Sequence, residues 1–358
     1  MVADSASPVQ PQRVSRLDGL RGLAACFVAF PYHGRIMFDP SQFAGSRYGP
    51  VLAWAQEWGW TFVDLFFVLS GYVFAHVYLE RWLLNTRRDL ADFAVARIAR
   101  LYPLHLVMLL LVALFTFGRP DNGALNFAAN LVMLQAFIRP FAESFNGPSW
   151  SLSVEAFCYV LFAFGALAGR RVLIAMTVGM VALNAWRLGW LGLPGGPYVS
   201  DVVPRGFLGF FVGQGLWHLR GQLARVPSLI LALAIALGIY ATSGPISPFI
   251  PLTMLAWPAA LLLALRLPLF GSKVMVWLGD RSYAIYLVNL PLIWCINHFT
   301  GVLTGSGWLV LAMHGLLIAL TLVLSDLSLR LIEQPSRRAI RKAWDRRSAA
   351  PSTAALTA

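Results

Sequence analysis

Apolar runs long enough to enter or cross a lipid bilayer follow one another along almost the whole chain. Eleven can be marked, near residues 17–38, 60–79, 100–118, 124–138, 149–168, 171–187, 205–219, 228–243, 248–265, 282–300 and 307–329. A helix needs about 20 predominantly apolar residues to span the hydrocarbon core. In lipid, backbone N–H and C=O groups must be satisfied within the segment or in a closed barrel, and continuous apolar runs without alternation select helices. Composition agrees, with 58% of the 358 residues hydrophobic and 12% charged, whereas soluble domains are about a quarter charged. Collagen-like, disordered and disulfide-stapled secreted chains are excluded. The expected fold is all-α, a polytopic membrane protein.

The net charge of +12 is not a nucleic-acid signal. Of the 28 cations only Lys273 and Lys342 are lysines, and most of the arginines flank apolar runs, the pattern that orients membrane helices. Arg13, Arg16 and Arg21 lie at one end and Arg337 through Arg347 at the other, so both termini are expected in the cytoplasm and the number of crossings is even. One segment therefore stays on one side. The stretch 124–138 is 15 residues long and holds Asn126, Asn130 and Gln135. With it outside, only Arg35, Arg47, Arg119, Arg139, Arg187 and Arg205 face the exterior, leaving 22 of 28 cations inside. The expected organisation is about ten transmembrane helices plus one re-entrant or interfacial helix. A cytoplasmic tail (1–16), a transmembrane domain (17–335) and a basic cytoplasmic tail (336–358) follow from it. The first sixteen residues have no apolar core, so no cleavable signal peptide is expected. Cys26, Cys158 and Cys295 stand alone in apolar stretches without CxxC spacing, which indicates neither a metal site nor a disulfide framework.

Ionisable groups inside membrane helices are costly and mark functional candidates. Helix 1 runs outward from Arg21 to His33, a rise of roughly 18 Å, which puts His33 in the outer half. Asp64 near the outer end of helix 2, and Glu155 about two turns below the outer end of helix 4, fall at similar depth. Arg21, Arg97 and Arg100 gather at the cytoplasmic mouth, and Arg97 and Arg100, three apart, share a helix face. Guanidiniums suit a polyanion such as a phosphate-bearing cofactor, and a histidine paired with a carboxylate suits activation of a hydroxyl. The alternatives are arginines that snorkel as anchors and a histidine satisfied by helix packing beside Pro31. His76, His105, His218, His298 and His314 are read as structural.

Six motifs in order resemble the acyltransferase-3 family of integral membrane O-acyltransferases. They are Arg16-Leu-Asp-Gly-Leu-Arg21-Gly-Leu-Ala, Val63-Asp-Leu-Phe-Phe-Val-Leu-Ser-Gly71, Arg97-Ile-Ala-Arg100-Leu-Tyr-Pro103, Pro148-Ser-Trp-Ser-Leu-Ser-Val-Glu155, Leu278-Gly-Asp-Arg-Ser-Tyr-Ala-Ile-Tyr-Leu287 and Glu333-Gln-Pro335. The resemblance implies ten transmembrane helices, an acyl-CoA donor (usually acetyl-CoA) and transfer to a sugar hydroxyl. It carries function to Arg21, His33, Arg97 and Arg100. Two departures stand out. Arg21 and His33 are twelve apart where the family has eleven, and Pro31 between them allows a kink or π-bulge that absorbs the extra residue. Asn289 stands where many members have histidine, which leaves His33 as the base on offer.

The expected activity is O-acyl transfer from cytoplasmic acyl-CoA to an extracytoplasmic saccharide such as exopolysaccharide or lipopolysaccharide, in a bacterial inner membrane. Arg21, Arg97 and Arg100 bind the donor, and His33 is general base or transient acyl carrier. Glu155 or Asp64 orients His33, while Trp150, Ser151 and Asn289 bind the acceptor. Trp150 near the outer surface serves either to stack on a sugar or as part of an interfacial aromatic belt. No metal and no nucleic acid is expected; the partners are membrane lipid, the acceptor, and separate polysaccharide-assembly proteins. Acylation of a small molecule or glycolipid is one alternative and a transporter or flippase another, although carriers commonly show internal repeats that this sequence lacks. His33-x5-Asp39 is one residue longer than the His-x4-Asp motif of glycerolipid acyltransferases, and no G-x-S-x-G elbow or P-loop is present.

Overall fold

The computed structural model describes residues 14–38, 49–138, 143–190, 202–244, 247–304 and 307–349. Arg13, Asp39, Arg47, Arg139 and the outer parts of both expected tails lie outside the described residues. Among those residues the chain is all-helical, apart from an isolated bridge between Phe38 and Leu303. In chain order the helices are α1 (Ser15–Phe27), α2 (Gly49–Trp58), α3 (Phe62–Leu79), α4 (Arg87–Thr116), α5 (Ala124–Leu131), α6 (Trp150–Leu167), α7 (Arg170–Gly189) and α8 (Val202–His218). They continue as α9 (Arg220–Leu223), α10 (Ser228–Tyr240), α11 (Phe249–Pro251), α12 (Trp257–Ala264), α13 (Lys273–Thr300), α14 (Gly307–Ser328) and α15 (Gln334–Ala349).

Among the described residues, five continuous stretches are long and apolar enough to cross a membrane: Pro50–Leu79, Arg87–Thr116, Gly147–Leu167, Arg170–Gly189 and Gly307–Ser348. Ser228–Ser243 and Phe249–Ala264 are shorter apolar helices. In the segment 124–138, α5 has eight residues, a rise of about 12 Å against a hydrocarbon core of about 30 Å. Its polar residues serve packing. The Asn130 amide donates to Asn126 O at 2.9 Å and to Ser144 Oγ at 2.7 Å, and Gln135 Nε2 donates to Ser149 O at 2.9 Å.

Helix α1 changes character where Pro31 enters. Proline has no N–H to give and crowds the carbonyl behind it, and the backbone slips into a π turn over Val28–Tyr32, then tightens to 3₁₀ over His33–Met37. A π turn inserts one residue into the helical count. At 100° per residue, eleven residues return to within about 20° of the starting face, while twelve overshoot by about 120°. The π turn therefore lets Arg21 and His33 share a side at a separation of twelve.

Two seams let helix backbones touch. A Cβ on Gly22 of α1 would lie 2.6 Å from Gly279 N of α13, and one on Gly279 would lie 2.2 Å from Asp18 O. Between α3 and α8, a Cβ on Gly71 would lie 1.8 Å from Phe210 O and one on Gly213 1.9 Å from Val68 O. Small residues at such crossings are how membrane helices gain close packing without a hydrophobic driving force. The motif glycines Gly22, Gly71 and Gly279 are thus packing residues. Helix α4 begins with a capping box between Thr86 and Asp89, and α15 lies against α4, with Trp344 Nε1 donating to Asp92 Oδ1 at 2.5 Å.

Replacing Gly71 or Gly213 by Val forces the α3–α8 seam apart. Overpacking of a close core costs about 1–3 kcal/mol or more, so thermal melts in detergent should show a lower midpoint for either variant than for a Gly179→Val control, whose Cβ meets nothing within 4 Å.

Candidate active site

Arg21, Arg97 and Arg100 do converge. Together with Ser70, Ser151, Glu155, Tyr159, Tyr283 and Tyr286 they line a cavity of about 100 Å³. Arg21 is paired with Asp18 at 2.7 Å, one turn earlier on α1. Arg97 lies over an aromatic floor, its guanidinium carbon 5.0 Å from the Phe74 ring centre and 6.0 Å from that of Tyr159. Phe74 and Tyr159 are themselves stacked at 4.2 Å. A cation desolvated over rings gains from their negative faces. Three guanidiniums around one cavity form a surface suited to phosphate oxygens, which accept paired N–H donors in this way.

Glu155 belongs to this cavity, not to His33. Its Oε1 accepts from Ser70 Oγ at 2.7 Å and from Tyr159 Oη. Asp64 also fails to reach the histidine: both its oxygens accept from Arg205, from Nε at 3.1 Å and from Nη2 at 3.1 Å. No hydrogen bond joins either carboxylate to His33: both Asp64 oxygens accept from Arg205, and Glu155 Oε1 accepts from Ser70 and Tyr159.

Asn289 takes that role. His33 is 3% exposed, and its Nδ1–H donates to Asn289 Oδ1 at 2.6 Å. The direction of this bond follows from the amide. Asn289 Nδ2 donates to Ile285 O at 2.7 Å and Tyr286 O at 2.8 Å, so its oxygen must be the atom facing the imidazole. An acceptor at that position fixes the proton on Nδ1 and leaves Nε2 as the basic nitrogen. Among the described residues Nε2 makes no hydrogen bond. Both amide atoms of Asn289, expected to meet the acceptor, are engaged with His33, Ile285 and Tyr286.

His33 faces a second, smaller cavity with Tyr32, Trp60, Trp150 and Arg205, and Val63 and Tyr286 line both cavities. Trp150 is 2% exposed, so it is neither an interfacial belt residue nor an open stacking platform. It stands at the start of α6 with its ring 5.3 Å from the Arg205 guanidinium, which also lies 4.5 Å from the Trp60 ring. Ser151 Oγ lies 3.1 Å from both Pro148 O and Tyr286 Oη, which compete for its one proton, and Tyr286 Oη donates to Pro148 O at 2.9 Å. Arg205 and Tyr286 were not among the expected site residues. Arg205 reads as an outer-loop cation because it opens an apolar segment, and only its 1% exposure reveals it as a core residue. His105 and His314 are held by backbone carbonyls, Asn130 O at 2.9 Å and Val310 O at 2.9 Å, in keeping with structural roles.

Residues 14–330 match the family model described as an acyltransferase domain of the acyltransferase-3 type. The chain belongs to the acyltransferase-3 family. It is similar to the peptidoglycan O-acetyltransferase OatA of Listeria monocytogenes, at 24% identity over 91% of this chain and 56% of that protein. It is also similar to the acyltransferase MdmB of Streptomyces mycarofaciens, at 28% identity over 92% of this chain and 93% of the relative. A third relative, protein 2 in the picA locus of Rhizobium radiobacter, is 35% identical over 49% of this chain and 92% of its own length. The chain spans little more than half the length of the Listeria enzyme. No solved structure matches it significantly. Family membership makes this acyltransferase an enzyme and displaces the transporter reading.

The Asp64–Arg205 pair supplies a direct test of the site's architecture. Removing one member of a buried pair strands a charge and costs about 3–5 kcal/mol, whereas apolar replacement of both is often neutral. Asp64→Leu and Arg205→Met should each lower the melting temperature, and the double variant should recover most of the loss in the same assay.

Proposed function

We propose that this acyltransferase moves an acyl group, acetyl in the first instance, from acyl-CoA to a hydroxyl of an extracytoplasmic saccharide such as exopolysaccharide or lipopolysaccharide. It does so from a bacterial inner membrane, crossing it about ten times with 124–138 on one side and both termini in the cytoplasm. One observation carries the reading: a guanidinium-lined cavity and a cavity containing a histidine with a basic Nε2 adjoin across Val63 and Tyr286. The first suits the phosphates of the donor and the second the hydroxyl to be acylated.

Arg21, Arg97 and Arg100 bind the phosphates and so aim the thioester at the junction. His33 Nε2 takes the proton of the acceptor hydroxyl as its oxygen forms a bond to the thioester carbon, and the imidazolium returns that proton to the leaving thiolate. Proton uptake by a positioned base contributes about 10²- to 10⁴-fold to such reactions. Asn289 holds the imidazole in the required tautomer throughout. The same imidazole can instead carry the acyl group transiently.

A small-molecule or glycolipid acceptor is the second reading. It is favoured by the end-to-end match to the Streptomyces acyltransferase, which covers 93% of that relative, while the Listeria peptidoglycan enzyme extends well beyond its matched 56%.

Acetyl-CoA should raise the melting temperature of the purified protein by mass action. Arg97→Ala and Arg100→Ala should abolish the shift. His33→Ala should retain it while lowering base-releasable acetate on the cell-envelope saccharide by about 10²-fold or more. A protein whose stability ignores acetyl-CoA does not use this donor.

A further inference from the structure

The guanidinium cluster extends past the residues that line the cavity. After α14 the chain makes another π turn, Leu329–Glu333, and enters α15. Glu333 is 3% exposed, yet its Oε1 has no hydrogen-bond partner. One turn later Arg337 brings Nη2 to 3.9 Å from Glu333 Oε2, an ion pair too long to be a hydrogen bond. Arg337 Nε is buried without a partner, and so is Arg97 Nε. Helix α4 packs against both the π turn and α15. Through that packing Arg337 lies within electrostatic range of Arg97 and Arg100, and Glu333 within range of Arg100.

Such an arrangement is poor as a structural ion pair. Buried donors and acceptors left unmatched each carry a desolvation cost, and gathering arginines adds repulsion. Nor is Arg337 required to fasten α15, which Trp344 ties to Asp92 at the far end. The unmatched Nε donors of Arg97 and of Arg337, whose side chain is 35% exposed, are what an oxyanion with several acceptor oxygens would satisfy.

We propose that Arg337 is a further phosphate-binding residue of the donor site, held over Arg97 and Arg100 by Glu333 until a phosphate takes the carboxylate's place. The inference rests on the acyl-CoA reading. Because the thioester end points toward His33, the phosphorylated nucleotide remains at the mouth, where α4 and α15 meet. The C-terminal helix thereby becomes part of the donor site.

The test is acetyl-CoA titration of the full chain in lipid-free detergent, followed by thermal stabilisation, for the wild type, Arg337→Ala, Arg337→Lys, Glu333→Gln and Arg97→Ala. Loss of a charge-assisted contact to phosphate should weaken binding about tenfold or more in Arg337→Ala, with partial retention in Arg337→Lys. Glu333→Gln should act in the opposite sense, because it removes a negative charge beside a polyanion, and binding should tighten. If Arg337→Ala binds like the wild type, or if Arg337→Ala and Glu333→Gln weaken binding together, the pair is structural and the inference is overturned. A response of Arg337→Ala confined to added phosphatidylglycerol would assign the residue to lipid headgroups and overturn it as well. Absence of any acetyl-CoA effect on the wild type would remove the donor reading itself, and this inference with it.

Discussion

The contact between α1 and α13 governs the chemistry of this protein. Gly22 and Gly279 bring the two backbones together so closely that a single Cβ on either would collide with main-chain atoms. Arg21 and His33 stand on one side of the seam, and Tyr283, Tyr286 and Asn289 on the other. In lipid no hydrophobic force holds helices together, so a seam of this kind must be short-range, and short range makes it positionally strict. The bond of 2.6 Å between His33 and Asn289 depends on that strictness. So does the π turn at Pro31, which sets the phase of His33 relative to Arg21 on a helix whose azimuth α13 has already fixed.

Polar groups in such an interior reveal their function by how completely they are matched. Asp64 commits both oxygens to Arg205, and Glu155 accepts two hydroxyls. His33 commits only Nδ1. Of the three residues placed at similar depth, His33 keeps Nε2 at the smaller cavity and Glu155 keeps Oε2 at the larger one, while Asp64 keeps neither oxygen uncommitted. The carboxylates finish networks that brace α3 against α8, and α6 against α3 and within itself.

Local features of this architecture were readable along the chain, and distant pairings were not. Helix positions follow from apolar runs, the short α5 within 124–138 follows from that segment's length and polarity, and the common face of Arg97 and Arg100 follows from their spacing of three. The π turn could be anticipated from one proline and a count of twelve. The partner of His33, however, lies 256 residues away and that of Asp64 141 away. No periodicity encodes which of several intramembrane polar groups will meet across helices. The natural expectation of a carboxylate for His33 failed because Arg205, assigned to an outer loop by its place at the edge of an apolar run, enters the core and claims Asp64. Trp150 lies inside for a related reason: the start of α6 is not the surface when neighbouring helices cover it.

This displacement has an electrostatic logic. A base that receives a proton becomes a cation, and a nearby guanidinium opposes that step while a nearby carboxylate assists it. Arg205 lines the same cavity as His33, in surroundings of low polarity where such an interaction is felt strongly. Bidentate pairing with Asp64 cancels most of its charge. Asp64 neutralises the guanidinium on this cavity wall, while the cation that acts on the imidazole itself is Arg35, which lies over the Tyr32 ring. The guanidiniums of the other cavity are held off by the Tyr286 ring and Val63, with the tyrosine pinned between Pro148 O and Ser151. On the proposed reading, anion binding and proton transfer are separated by this side-chain partition.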